Sequence, residues 1–329
     1  MNDDQKSSDA SIHEPVLLHE VIKYLEETGV DKRSRKDLWY LDGTLGGAGH
    51  ATAIAKILEG NVNIIALDQD ISAIDRARTT LAGKIDEFSP NHSSKLIFEC
   101  ENFRNLDKVL DKHGVQTVDM ILLDLGFSSD ELENSGKGFS FQKDEPLLMT
   151  MGDVHSHMFT ARDIVNRWTE EDIANVIFGY GEERFARRIA RAIINYRTKK
   201  QIETTFELVE VVKMSVPGFY RRGKTNPATK TFQGLRIAVN DELNSLKEGL
   251  VKGFDALNVG GRMAVISFHS LEDRIVKDFY KEKAKSSGAI ILTKKPIVAS
   301  DQERAENPRS RSAKLRIIEK SKIKNQKSK

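Results

Sequence analysis

Three acids and one glycine-rich turn are the residues that could do chemistry together in this chain. Tyr40-Leu41-Asp42 reads as the end of a strand, and Gly43-Thr44-Leu45-Gly46-Gly47-Ala48-Gly49-His50 follows it, with four glycines in seven residues. Lacking Cβ atoms, such a turn bends sharply and lets a ligand lie against the backbone. At the carboxyl end of a strand in an open α/β sheet, it stands where ligands bind. Asp68 closes a second apolar run, 19 residues after Gly49. A carboxylate there is placed to accept hydrogen bonds from both hydroxyls of a ribose. Asp70 is its rival, although Asp70-Ile71-Ser72-Ala73 has the order of a helix cap. Asp124 closes a further apolar run.

The spacing of the turn is not Gly-x-Gly-x-x-Gly, which argues against a dinucleotide pyrophosphate. Asp42 and the acids of the rim suit a ligand carrying an amine and hydroxyls, and S-adenosylmethionine (SAM) is such a ligand. Its sulfonium is already activated, so methyl transfer needs donor and acceptor held in line and water excluded, with neither metal nor nucleophile required. An exocyclic amine of a base would need acceptors near Asp124 and Ser128 to hold its hydrogens while the lone pair faces the methyl, and a group to take the proton. Methylation at C5 of a pyrimidine needs a cysteine nucleophile. Cys100, the only cysteine, ends an apolar run and reads as structural.

These residues need a sheet to carry them. Strands are expected at Leu38–Asp42, Val62–Asp68, Lys95–Cys100 and Val118–Asp124, separated by helices at about Ala51–Leu58 and Ser72–Leu81. Apolar runs alternating with helices indicate a doubly wound parallel sheet. Glu101-Asn102-Phe103 follows the third strand, where Phe103 could lie against an adenine or simply pack in the core. The alternation then stops. Helices are expected at Thr160–Arg167, Glu170–Phe178, Glu182–Tyr196, Thr205–Met214, Asn226–Val239 and Asp241–Leu257. Val259–Arg262 reads as a turn, Met263–Phe268 as a fifth strand with His269 at its carboxyl end, and Lys314–Ile318 as an edge strand. The fold class is α/β, a Rossmann-like sheet of the SAM-dependent methyltransferase kind with an inserted helical domain. Residues 12–129 and 236–319 form the sheet domain, 130–235 the inserted helical domain, 1–11 a disordered start and 320–329 a basic tail.

Charge points to the partner. The net charge of the 329 residues is +2, yet Tyr180 to Arg236 holds 13 Lys/Arg against 5 Asp/Glu, and Arg304 to Lys329 holds 10 against 2. Local basic patches on a near-neutral chain suggest a polyanion. Arg184, Arg187, Arg188 and Arg191 fall at helical spacing opposite Phe185, Ile189 and Ile193. Such a stripe suits a phosphate backbone, or a surface salt-bridged to Glu182 and Glu183. The start is polar and acidic, without the basic-then-apolar order of a signal peptide, and no run approaches 18 apolar residues. A cytoplasmic protein with no membrane or DNA partner is expected. Oligomeric state is left open, a homodimer included.

Beyond the single motifs, a series of strings in order resembles the bacterial ribosomal RNA small-subunit methyltransferase H family, the 16S rRNA (cytosine-N4-)-methyltransferases. These are His13-x-Pro15-Val16-Leu17-Leu18, the glycine turn, Ile121–Ser129, Gly138–Phe141, Tyr180–Ala186, Pro227–Gln233, Ser267–Arg274 and Asn307–Arg316. The resemblance implies methyl transfer from SAM to N4 of a cytidine in the decoding region of small-subunit rRNA. Carried over by position, it implies that Ala48, Gly49, His50, Asp68, Phe103 and Asp124 contact SAM. Asp124 and Ser128 would hold the amine, His269 would either contact the cytosine or only bond Glu272 or the backbone, and Arg187, Arg188 and Arg191 would contact RNA. Two departures stand out. Glu131 replaces the family's usual glutamine and, when ionised, cannot donate a hydrogen bond. The turn also carries Gly47-Ala48 in place of the usual residue-then-glycine order. A nicotinamide dehydrogenase and a non-catalytic RNA-binding assembly factor are the alternatives. SAM or NADH binding discriminates the first, and a methyl-transfer assay the second.

Overall fold

The structure, a computed structural model, describes residues 15–28, 38–59, 61–88, 94–127, 135–286 and 288–322. His13, Ser128, Glu131, residues 1–11 and most of the basic tail lie outside them. Helix α1 (Leu18–Glu26) precedes β1 (Trp39–Asp42), α2 (Gly49–Ile57), β2 (Asn63–Asp68), α3 (Ile71–Phe88), β3 (Leu96–Cys100), α4 (Leu106–Lys112) and β4 (Val118–Asp124). Then come helices α5 (Ala161–Arg167), α6 (Glu170–Gly179), α7 (Ala186–Arg197), α8 (Thr205–Ser215) and the short α9 (Gly218–Arg221). Helices α10 (Thr229–Asn240) and α11 (Glu242–Ala256) lead back to β5 (Leu257–Ser267), α12 (Ser270–Ser286), β6 (Ala289–Ile291), α13 (Asp301–Glu306) and β7 (Lys314–Lys320).

The strands form one sheet in the order β3-β2-β1-β4-β5-β7-β6. The first five are parallel, β7 runs antiparallel to β5, and β6 antiparallel to β7. Side chains alternate between the faces with the strand period of two. Tyr40, Ile64, Met120 and Ala264 join one buried cluster with α1, α2 and α3, and Leu41, Ile65, Ile121 and Met263 join another with α4, α11 and α12. Apolar side chains thus leave from both faces of each central strand, which is why those strands read as continuous apolar runs. Asp42, Asp68 and Asp124 end adjacent parallel strands, so the expected rim of acids forms.

Three expectations needed correction. The Gly260-Gly261 pair is not a turn before the strand but part of β5. Val118 pairs with Leu257 and Met120 with Arg262, so Asn258 to Gly261 bulge out of the register. The last strand, expected at the edge, is one place in from it, because β6, three residues long, lies outside it. Helix α7 begins at Ala186, not Glu182. Glu182 has φ 51°, and the Glu183 carboxylate accepts the Phe185 N–H at 2.8 Å, which turns the chain before the helix starts.

A third hydrophobic cluster is built from Phe139 to Val239 and includes Ile164, Ile177, Ile189, Leu208 and Phe232 of helices α5 to α10. Thr160 with Asp163 and Thr204 with Glu207 form reciprocal capping boxes that fix where α5 and α8 begin. Helices α6 and α10 approach so closely that a Cβ on Gly181 would stand 2.2 Å from the Lys230 carbonyl oxygen. No helix among the described residues is long and apolar enough to cross a membrane.

Candidate active site

The glycine turn is stitched to all three acids. Thr44 N–H donates to Asp42 Oδ1 at 3.2 Å, Gly46 N–H to Asp68 Oδ2 at 2.8 Å, and Asp124 N–H to Thr44 Oγ1 at 2.7 Å. Gly43 N–H donates to the Leu122 carbonyl at 2.9 Å, and a Cβ on Gly43 would stand 2.4 Å from Leu123. Gly46 has φ +49°, a region that suits glycine. Ala48, where the resemblance expected glycine, is buried at φ 59° as the N-cap of α2. The left-handed backbone costs alanine about 1–2 kcal/mol. Glycine would forfeit a buried methyl worth about 0.8 kcal/mol and a few tenths more in unfolded-chain entropy. The exchange is close to neutral, which explains why alanine is tolerated.

Two clefts adjoin at the turn. The first, about 780 Å³ and open to solvent, is lined by Asp68, Gln69, Asn102, Phe103, Asp124 and Ser245 among others. The second, about 1500 Å³, includes His50, Phe127, Gln233, Arg236, His269 and Arg309 in its wall. They share Thr44, Gly46, Asp124, Leu125, Gly126 and Glu272. Asp124 therefore stands at their junction. Phe103 does both things expected of it. It is 8% exposed, packs so tightly that a Cβ on Gly249 would meet its ring at 2.5 Å, and still shows an edge to the first cleft. Gly49 and His50 line the second cleft, across Asp124 from Asp68 and Phe103, whereas buried Ala48 lines neither. Arg187, Arg188 and Arg191 are exposed on α7 and line neither cleft.

Burial dominates the electrostatics. It raises the Asp68 carboxyl above its ordinary range, against the pull of the Asp70 and Gly46 amides. Asp42 is 1% exposed, and burial pushes it up to about 6 although His50, the Tyr40 hydroxyl and the Thr44 amide favour its charge. Its folded value lies above its unfolded one, so the folded state holds an extra proton in between. Stability from this group is present below about pH 4 and is lost as pH rises through about 6, on the order of 3 kcal/mol. Asp42→Asn should remove that slope. Urea melts at pH 5 and pH 8 test it, and an unchanged slope in the variant would put the proton elsewhere.

His50 Nε2 lies 3.6 Å from Asp124 Oδ2, and neither ring nitrogen of this buried imidazole has a hydrogen-bond partner among the described residues. His269 is held from behind. Its Nδ1 accepts the Glu272 N–H at 3.4 Å, and Glu272 Oε2 accepts the Phe268 N–H at 2.8 Å. Nδ1 as acceptor leaves the proton on Nε2, 3.2 Å from Glu272 Oε1 but off the line of a hydrogen bond. Glu242, His269 and Glu272 bring ligand-type atoms within 4.8 Å of one another. Arg236 already takes both Glu242 oxygens at 2.8 Å, and Glu272 carries backbone amides. Cys100 is exposed rather than structural, donates weakly to the Gln69 carbonyl, and lines neither cleft. Burial and the surrounding acids raise its thiol, so it is not a poised thiolate.

The residues missed by sequence reasoning come from distant segments. Asn240 bridges Met149 O and Met151 N–H, holding residues 149–151 against the first cleft, where Gln69 Nε2 reaches Met151 Sδ at 3.6 Å. Arg236 stacks over Phe127 at 4.4 Å in the second. Pro15, Phe127, Gln233 and Arg309 sat inside the motif strings above, which was the available signal; Asn240 carried none.

The first cleft fits SAM. Each Asp68 oxygen accepts one backbone amide and keeps a lone pair for a ribose hydroxyl, Phe103 offers an apolar edge, and Asp124 a negative charge. Residues 10–321 match the profile of the MraW methylase family. The chain belongs to the MraW methylase family. It is 46% identical over 317 residues to the ribosomal RNA small subunit methyltransferase H of Deinococcus deserti, covering 96% of each chain. With the protein of the same name from Brevibacillus brevis it shares 42% over 317 residues, 92% of this chain and 98% of that one. A solved rRNA methylase from Streptococcus thermophilus overlaps 95% of this chain and 100% of its own at 11% identity, with a TM-score of 0.41. That last likeness adds nothing to the topology above. As a member of this family, the methylase takes SAM as its cofactor.

Proposed function

We propose that this methylase transfers the methyl group of SAM to N4 of a cytidine in the decoding region of 16S rRNA, as a cytoplasmic enzyme. The observation that carries the reading is the junction at Asp124 of a cleft suited to SAM and a second cleft walled by Phe127, Arg236, His269 and Arg309. The names of its relatives give the RNA. When bound, SAM supplies an activated methyl that needs no covalent catalyst. Asp68 holds the cofactor's ribose, and the turn from Gly43 to Gly46 lets it lie against the backbone.

On the acceptor side, the Asp124 carboxylate accepts an N–H of the amine and turns its lone pair toward the methyl; Ser128, outside the described residues, is the second acceptor proposed from the sequence. As the nitrogen gains a fourth bond its proton becomes acidic, and Asp124 or water at its side takes it. Phe127, stacked under Arg236, gives the base a flat wall, and His269, whose Nε2 is turned toward Glu272, adds the edge of its imidazole to that wall. The clefts offer no thiol, which favours attack by an amine over attack at C5. The helical unit, residues 130–235, holds the surrounding RNA, with Arg187, Arg188 and Arg191 on phosphates. Arg187 and Arg188 make no ion pair among the described residues. Arg191 reaches Glu170 at 3.2 Å and is the weakest of the three candidates.

Methyl transfer from labelled SAM to small subunits lacking the modification, followed by nucleoside analysis, tests the reading. Label in N4-methylcytidine supports it, and label in another nucleoside discards the target. Saturable SAM binding without transfer would favour the non-catalytic assembly factor. Arg187→Glu with Arg188→Glu should weaken RNA binding at least tenfold at moderate salt and flatten its salt dependence. Binding and slope equal to those of the parent would return that face of α7 to a structural role.

A further inference from the structure

Arg184, expected to continue the phosphate stripe of α7, lies before the helix and among three rings instead. Its guanidinium carbon is 4.8 Å from the centroid of Phe185, 5.0 Å from Tyr220 and 5.7 Å from Phe219. Phe185 meets Tyr220 at 5.0 Å and Phe219 at 6.4 Å, both edge-on. The base of the cluster is rigid. Glu183 is fully buried, takes the Tyr220 hydroxyl on one oxygen and the Phe185 amide on the other. Burial and Glu183 push the Tyr220 hydroxyl up to about 12, so it remains a donor throughout the working range.

The top of the cluster is open. Phe219 is 63% exposed, and Arg184 is exposed beside it. Scattered exposed rings are ordinary. This one is held in place by a cation stack and followed by Arg221, Arg222 and Lys224, all exposed, with no acid before Asn226. An apolar docking face for protein would be ringed by other apolar side chains. Met214 on the preceding helix is exposed too, but the side chains that follow the ring are cations, the combination that meets a polyanion with flat faces.

Its place matters as much. Glu182, next to Glu183, pairs with Arg274 at 3.3 Å and accepts the Ser270 hydroxyl. Ser270 follows His269, which lines the second cleft. Lys230 Nζ donates to the Glu182 carbonyl at 2.8 Å, and Gln233, one turn further along α10, also lines that cleft. The aromatic cluster is thus joined to the cleft wall through a short run of polar contacts.

We propose that Phe219, backed by Arg184 and Tyr220, is a stacking platform for an unpaired base of the RNA outside the acceptor cleft, with Arg221, Arg222 and Lys224 on the adjoining phosphates. The proposal rests on RNA being the substrate, not on which nucleotide is methylated. Sequence-selective RNA contacts are made to unstacked bases laid on aromatic side chains, and cations beside the ring add charge that carries no sequence information. The platform would splay a neighbour of the target base and so determine how the strand enters the cleft.

The test uses the full chain and single-stranded oligoribonucleotides with 2-aminopurine placed at successive positions. One position should be quenched on binding. Phe219→Ala should abolish that quench, weaken binding about tenfold, the scale lost when a base–aromatic stack is truncated, and raise KM for RNA with kcat unchanged. Phe219→Trp should restore all three. Arg221→Ala should lower the slope of log K against log salt by about 0.7. Thermal melts and SAM affinity should match the parent, since Phe219 is exposed; if the alanine variant is unstable, Phe219→Leu is read in its place. Wild-type quench and affinity in the variant overturn the proposal. So does a loss seen only with assembled subunits and not with naked RNA, which would give the ring to a protein. Methylation of a different nucleoside, with the Phe219 effects intact, would sink the N4-cytidine reading and leave the platform standing.

Discussion

Asp124→Ala should abolish methyl transfer, lowering kcat about a thousandfold or more. Asp124 and Glu272 are the two carboxylates common to both clefts, and Glu272 is occupied by the Phe268 and His269 amides, which leaves Asp124, at the end of β4, to face the acceptor. A group that orients an acceptor and meets charge developing on it contributes on the scale of 10²–10³ in rate, and loss of alignment multiplies the effect. The fold should survive. Alanine keeps the Asp124 N–H bond to Thr44 and loses one structural contact, the Gly126 N–H that Asp124 Oδ1 accepts at 3.2 Å. Asp124→Asn retains an acceptor oxygen without the charge and should keep measurable turnover. Single-turnover transfer from labelled SAM at saturating RNA separates chemistry from binding. An alanine variant within tenfold of the parent would remove Asp124 from the mechanism.

Gly181→Ala should destabilise the helical unit by about 3 kcal/mol, at the upper end for overpacking. The added Cβ would stand 2.2 Å from Lys230 O and 2.6 Å from Ile177 O. Both are backbone atoms, one in α10 and one in α6, so no rotamer change relieves the contact. Gly234, at the same crossing, is the internal control. Its Cβ would meet Gly181 N and Val176 O at 3.1 Å, and Gly234→Ala should cost about 1 kcal/mol. Trp168, packed edge-on against Phe159 at 4.9 Å, lies in this unit and reports its unfolding in urea. Activity should fall with stability, because α10 carries Gln233 and Arg236 into the second cleft and Gln233 bonds the Tyr180 carbonyl at 3.0 Å. Equal melts for the two variants would show that the crossing yields easily.

The parallel half of the sheet was legible because its strands read as apolar runs and three of them, β1, β2 and β4, end in an acid that marks the rim. Helices α5, α6 and α8 were legible because threonine caps mark their starts. Strand β5 was shortened because Gly260-Gly261 carries the chemistry of a turn, and only pairing with β4 shows it as a bulge. Strand β6 is too short for periodicity to register. Glu182-Glu183 looked like a favourable first turn of a helix, but Glu183 is consumed by Phe185 and Tyr220, a contact 37 residues away in sequence. Within the site, the turn and the acids were visible as a local pattern. Phe127, Arg236 and Arg309 were not singled out, because each is ordinary in its own segment and becomes a wall only where three distant segments meet.

The position of β7 inside the sheet sets the order in which the molecule can mature. Strand β7 pairs with β5 from Arg262 to Ser267, and Arg316 on it grips Asp273 just behind the rim. At the other end of the chain, Leu17 N–H donates to Glu303 across 286 positions, and Arg262 donates to the Tyr24 carbonyl. The helical unit closes on nearer partners, such as Met149 O with Asn240 at a separation of 91 positions, and can fold sooner after it is synthesised. The catalytic rim cannot, since α1 waits for partners made almost 300 residues later. Contacts of such long range slow the final collapse and leave apolar strands without their neighbours in the meantime. During synthesis the helical unit would be native well before the cleft is, so that, on the proposed function, a nascent chain would be able to dock on RNA before it is able to modify it.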